Sequence, residues 1–257
     1  MTTEGSDPSG LDAAISLLAT TDRLLVCCDF DGTISTLAEE PSAARPVDGS
    51  VAVLDALAHL PDTWSAIVSG RALIDLTQLA GMPEHVHLVG SHGTEFEAGR
   101  ILAVSPGEGE FIDRIVEQCR TIVDGVAGVV LETKPASVAV HVRKAHRRDA
   151  ARVLDAVRQG PGSLPGVHVL EGKEVVELAV FSGTKADGVD ALRERWDITG
   201  TLFAGDDATD ESAFAALRAG DLGVKVGPGP SVAGWRVDDP VAVVGVLERL
   251  RSLRQGR

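Results

Sequence analysis

Asp29 and Asp31 stand two residues apart, directly after the apolar run Leu24-Leu25-Val26-Cys27-Cys28 and before Gly32-Thr33. An apolar run of that length reads as a buried strand, and residues two apart at its end point to the same side. Two neighbouring acids repel, so they persist together where a cation sits between them or where one stays protonated. Such a turn can supply a nucleophile, a seat for a metal and an acid for a leaving oxygen, which is what phosphoryl transfer to a carboxylate requires. The plain alternative is a solvated turn or a cap. A calcium loop also competes, because Asp29, Asp31, Thr33, Ser35 and Glu40 fall at EF-hand ligand spacings. It fails because Ile34 occupies the glycine position and a strand precedes the loop where a helix is required.

Three further turns follow apolar runs. Ser69-Gly70-Arg71 offers a hydroxyl and backbone amides that could hold a phosphate at a helix start; an ordinary N-cap serine is the competing reading. Lys185 opens a helix after Ser182-Gly183-Thr184, where a cation opposes the helix dipole unless an anion lies nearby. Asp206, Asp207 and Asp210 follow the run 200–204 and offer the hard oxygen ligands that suit magnesium, although Asp210 and Glu211 also complement a helix dipole. His92 is notable only for its place at a strand end. Gly223 to Gly229 lacks the following helix of a dinucleotide fingerprint and reads as strand and loop.

The elements that must position these residues alternate between strand and helix. Strands are expected at 24–28, 64–68, 87–89 and 200–204, with helices at 47–60, 72–79 and 185–196. This favours an α/β fold, a mainly parallel sheet with helices on its faces, whose strand carboxyl ends bind ligand. Between them the rhythm changes to helix 110–123, strands 128–132 and 137–143, helix 145–157, and strands 167–170 and 175–180. That is an α+β unit with antiparallel pairing, and it reads as an insertion. The expected organisation is a disordered tail at 1–10, a core from 11–104 and 182–257, and an inserted unit at 105–181.

With 257 residues, 44% hydrophobic and 24% charged, the chain has the composition of a soluble globular protein. Its net charge of −14, with no basic block, argues against nucleic acid or an anionic membrane as partner. Local cations and a divalent metal can still admit a phosphorylated substrate. Three cysteines without metal spacing, and a polar start, fit a reduced cytoplasmic protein. A monomer is expected.

The order of these signals resembles the haloacid dehalogenase superfamily of phosphohydrolases over nearly the whole chain. Within it the sequence is most similar to the trehalose-6-phosphate phosphatase family. The matching strings are Val68-Ser69-Gly70-Arg71, Gly90 to Glu95, Glu132-Thr133-Lys134, Glu171 to Leu178, and Gly205 to Glu211. Phe30 stands where tyrosine is common, and Ala186 where glycine is usual. The resemblance implies a Rossmann-like core, with the inserted α+β unit as a cap that closes over the site. It makes Asp29 the nucleophile and Asp31 the general acid and base. Magnesium would be held by Asp29, the Asp31 carbonyl and Asp206, with Asp207 and Asp210 supporting. Ser69, Gly70 and Lys185 would bind phosphate, and Arg71, His92, Glu132, Lys134 and Glu177 the rest of the substrate. Another sugar phosphate, such as sucrose phosphate or mannosylphosphoglycerate, and a non-catalytic sugar-phosphate sensor are the alternatives.

Overall fold

A computed structural model of the chain describes residues 8–38, 43–96, 106–134, 137–172, 174–180 and 183–256. It divides into two compact units, Met1–Arg100 with Gly183–Arg257, and Ile101–Ser182.

The first unit is built on strands β1 (Leu24–Cys28), β2 (Thr63–Val68), β3 (Val86–Gly90) and β4 (Glu95–Phe96). Among the described residues, helices α1 (Pro8–Leu18), α2 (Ser50–Ala58) and α3 (Leu73–Ala80) precede or connect them. Helix α1 begins inside the expected tail, because Leu11, Ala14, Ile15 and Leu18 have an apolar surface to pack against. The second unit holds α4 (Pro106–Val123), β5 (Val130–Lys134), β6 (Ser137–His141), α5 (Arg147–Gln159), β7 (His168–Gly172) and β8 (Val175–Ala179). Returning to the first unit, the chain forms α6 (Lys185–Arg195), β9 (Gly200–Gly205), α7 (Glu211–Ala215), β10 (Leu222–Val226), β11 (Trp235–Val237) and α8 (Pro240–Gln255).

The larger sheet runs β11-β10-β9-β1-β2-β3-β4, parallel throughout except for β4. β1 is buried along its whole length, which explains its unbroken apolar run. Its side chains alternate between two cores. Leu24, Val26 and Cys28 pack with α1, α2, α3 and α8, while Leu25 and Cys27 pack with α6 and α7. Helices therefore cover both faces, as expected. Strand order reverses between β1 and β9, and the crevice at the carboxyl ends of two such strands is where a doubly wound sheet binds ligand.

Helix α8 was not anticipated, although Asp239 caps its start through the Ala242 amide and Pro240 opens its first turn. Its buried Arg254 donates to the Ala19, Asp22 and Asp62 carbonyls and the Thr63 hydroxyl.

The smaller sheet is antiparallel, β5-β6-β8-β7. Leu131, Val138, Val140, Val176 and Leu178 turn to one face and pack with α4 and α5. The opposite face carries Glu132, Ala139, Glu177 and Leu170 in one row across the four strands.

Candidate active site

Four strand-end turns of the first unit meet in one cavity of about 550 Å³, lined among others by Asp29, Asp31, Ser69, Gly70, Arg71, His92, Lys185, Asp206 and Asp207. The turn after β1 can reach the turn after β9 because of Gly32. Its φ is +75°, and a Cβ there would lie 2.2 Å from Asp206 Oδ2. A side chain would be strained and would also displace the acid. Gly32→Ala is therefore expected to cost about 1–3 kcal/mol and to weaken any cation site at Asp206; thermal unfolding and a metal titration measure the two effects.

Lys185 is the centre of the charge network. Thr184 and Asp187 form a capping box that starts α6 at Lys185. From there the buried ammonium reaches Asp29 Oδ1 at 2.8 Å and Asp210 Oδ1 at 2.6 Å. These are the anions that its place at a helix start called for. Asp210 accepts from the Asp207 amide through its other oxygen, at 2.9 Å. It thus ties the turn after β9 to α6.

Burial pushes the Asp29 carboxyl up from 3.8 to about 7, against the pull of Lys185, and Asp210 adds to the rise. Burial likewise raises Asp206, with Asp210 next in effect. Lys185 loses hydration, yet Asp29 and Asp210 hold its ammonium above the ordinary value. Oxygens of Asp29, Asp206 and Asp210 lie within 4.8 Å of one another. Three carboxylates against the two ammonium groups that act on them, those of Lys185 and Lys225, still leave an excess of negative charge in a site of oxygen donors, which fits a hard divalent cation.

The other expected residues fall in distinct places. Asp207 is exposed and caps the short turn Ala208–Asp210, so it lies outside the close cluster while Asp210 lies within it. Ser69 is buried, and its hydroxyl accepts from the Arg71 amide at 3.2 Å. His92 has φ +56° and packs its ring on Gly70, where a Cβ would lie 2.6 Å from Cε1. Glu95 caps α3, accepting from the Leu73 amide at 2.6 Å. Arg71 grips Asp31 in a fork, Nε to Oδ2 and Nη2 to Oδ1, each at 2.6 Å.

Two residues with roles here were missed by sequence reasoning. Thr33 donates to Asp206 Oδ1 at 3.4 Å. Lys225 donates to the Asp206 carbonyl and to the Val226 carbonyl, fixing the backbone that carries the acid. Its signal was a lone lysine inside an apolar strand, which must find polar partners to be buried.

In the second unit, Glu132 pairs with His141 at 2.8 Å, and Glu177 accepts from the Ser137 hydroxyl at 2.5 Å. Lys134 ends β5; its side chain, like residue Lys173, lies outside the described part. Glu171 is instead held by Arg158 of α5.

A family model described as trehalose-phosphatase matches residues 27–240. The trehalose-phosphate phosphatase of Mycobacterium avium is 34% identical over an alignment of 251 positions that covers 86% of this chain and 60% of that protein. The chain thus spans well under two thirds of that relative's length. Among solved structures, an Aspergillus fumigatus trehalose-6-phosphate phosphatase superposes with a TM-score of 0.65 at 25% identity, covering 98% of this chain and 100% of that one. A haloacid dehalogenase-like hydrolase from Bacteroides thetaiotaomicron shares the fold, with a TM-score of 0.63 at 18% identity over 88% of this chain and 99% of that one.

Proposed function

Because the chain belongs to the trehalose-phosphatase family, we propose that it hydrolyses trehalose 6-phosphate to trehalose and phosphate. The observation that carries this reading is Asp29, buried at the strand switch point and paired with Lys185. Its carboxylate attacks phosphorus, forming an aspartyl-phosphate, and Asp31 protonates the sugar oxygen as the P–O bond breaks. Asp31 then takes the proton of the water that cleaves the aspartyl-phosphate. Lys185, Ser69 and the Gly70 amide hold the phosphate oxygens as charge moves onto them. Asp29, Asp206 and the Asp31 carbonyl would hold magnesium, with Asp210 steadying Lys185 and Asp207 capping the turn. When bound, that ion offsets the repulsion between carboxylate and phosphate. The direct test is phosphate release from trehalose 6-phosphate against sucrose phosphate and mannosylphosphoglycerate, with and without magnesium. Turnover of another sugar phosphate in preference would overturn the substrate, and full activity in EDTA would overturn the metal.

The metal reading also has a readout independent of activity. A carboxyl raised in the folded state keeps its proton at a pH where the unfolded chain has lost it. Metal-free protein therefore loses stability as pH rises from about 4 towards 7. Magnesium should raise the unfolding temperature more at pH 7.5 than at pH 5, and Asp206→Ala should reduce that gain. An equal gain at both pH values would count against binding at Asp29.

The face of the smaller sheet opposite α4 and α5 is proposed to grip the sugar through Glu132, Lys134 and Glu177, with His141 holding Glu132 and Ser137 holding Glu177. A charged hydrogen bond to a hydroxyl contributes roughly 1.5–3 kcal/mol. Glu132→Ala or Glu177→Ala should accordingly lower kcat/KM for trehalose 6-phosphate on the order of 10–100-fold. Hydrolysis of a small aryl phosphate should fall far less. Equal losses on both would mean that these residues hold the fold.

A further inference from the structure

The fork between Arg71 and Asp31 is unusual for a residue expected to meet substrate. Arg71 is the more enclosed partner, its side chain 14% exposed against 31% for Asp31. It is also anchored on three sides. Its amide donates to Ser69 Oγ, its carbonyl accepts from the Ser91 amide at 2.7 Å, and its guanidinium lies 5.7 Å from the centre of the Phe30 ring. Asp31, by contrast, sits in a turn beside Gly32, where the rotation of a carboxylate is otherwise loosely set. Two parallel bonds to a planar guanidinium fix both the direction and the plane of that carboxylate.

We infer that Arg71 is a positioning residue that acts on the reaction through Asp31. This rests on the reading of Asp31 as the acid and base. In the first half, the bond from Asp29 to phosphorus forms as the bond to the sugar oxygen breaks, and the Asp31 proton passes to that oxygen. The carboxylate left behind is the form that the fork holds. In the second half the fork presents the same carboxylate to water, which gives up its proton as its oxygen bonds to phosphorus and Asp29 is released. A guanidinium that only bound phosphate would help every substrate alike. One that aims the acid matters most where the leaving oxygen needs a proton.

The experiment measures kcat/KM, which reports steps through the first irreversible one, for trehalose 6-phosphate and for 4-nitrophenyl phosphate, whose leaving group departs as an anion. Asp31→Asn, Arg71→Ala, Arg71→Lys and the double variant Asp31→Asn/Arg71→Ala are compared. Asp31→Asn should lower the sugar substrate on the order of 100–10,000-fold and the aryl substrate much less. Arg71→Ala should show the same bias at about 10–100-fold. Arg71→Lys should fall between, since an ammonium keeps the charge without the fork. The double variant should be no slower than Asp31→Asn alone, because residues acting as a unit are not additive. If Asp31→Asn shows no bias between substrates, the reading of Asp31 fails. If it does, but Arg71→Ala slows both substrates equally or multiplies the loss in the double variant, Arg71 acts on phosphate or on the fold, and the inference is overturned. A folded Arg71→Lys variant keeps the test decisive where Arg71→Ala does not fold.

Discussion

Asp29→Asn is expected to yield a folded protein that has lost at least about four orders of magnitude in turnover on every phosphate ester. The amide has the shape of the acid but cannot attack phosphorus. Stability should not follow activity. Lys185 keeps Asp210 at 2.6 Å, and the substitution removes a carboxyl that burial pushes up to about 7. A raised carboxyl costs stability once the unfolded chain would be ionised, so in metal-free buffer at pH 8 the variant should melt no lower than the parent. Phosphate release and thermal unfolding on one preparation check both halves. Turnover above one per cent of the parent's, with the amide intact by mass spectrometry, would remove Asp29 as nucleophile; that threshold is about two orders above the residual turnover expected.

Lys185→Met should have the largest effect on stability. The side chain is 2% exposed and lies between two carboxylates that are nearly or wholly buried. Methionine fills a similar volume but leaves both acids without their cation. Breaking a buried pair from one side typically costs about 3–5 kcal/mol, because the stranded charge pays its desolvation uncompensated. The second substitution Asp210→Asn should recover a good part of this by removing one stranded charge. It should recover no activity, since the cation proposed to face the phosphate is still missing and such groups contribute on the order of 100–1,000-fold. Urea unfolding of the two variants separates the roles. A double variant as unstable as the single would show that packing rather than charge was lost.

The residues most legible in the sequence are those that end an apolar run. Asp29, Ser69 and Asp206 each follow a segment whose burial could be read, and a parallel sheet gathers its strand ends by construction; Lys185 instead comes to them from the start of α6. The partners of these residues were much less legible. That Arg71 would close on Asp31, or that Asp210 would reach Lys185, depends on strand order and side-chain direction, which no local pattern encodes, whereas the bond of Asp210 to the Asp207 amide is a local capping box. The same holds for His141 and Glu132, nine positions apart yet adjacent because β5 and β6 pair Glu132 with Ala139. Helix α8 is a different case. Its Asp239-Pro240 start and its stripe of Val243, Val246, Leu247 and Leu250 are local signals that suffice to mark a helix.

The central strand also sets an order of events in synthesis. β1 pairs on one side with β2, which emerges soon after it, and on the other with β9, which emerges only after the whole inserted unit. The inserted unit is contiguous and has its own core, so it can fold while β1 still waits for its second neighbour. Until β9 arrives, the strand that leads to Asp29 presents an apolar edge with unpaired backbone groups, which is a template for pairing with other chains. A chain stopped just before Gly200 should accordingly precipitate, whereas the segment 101–182 made alone should stay in solution.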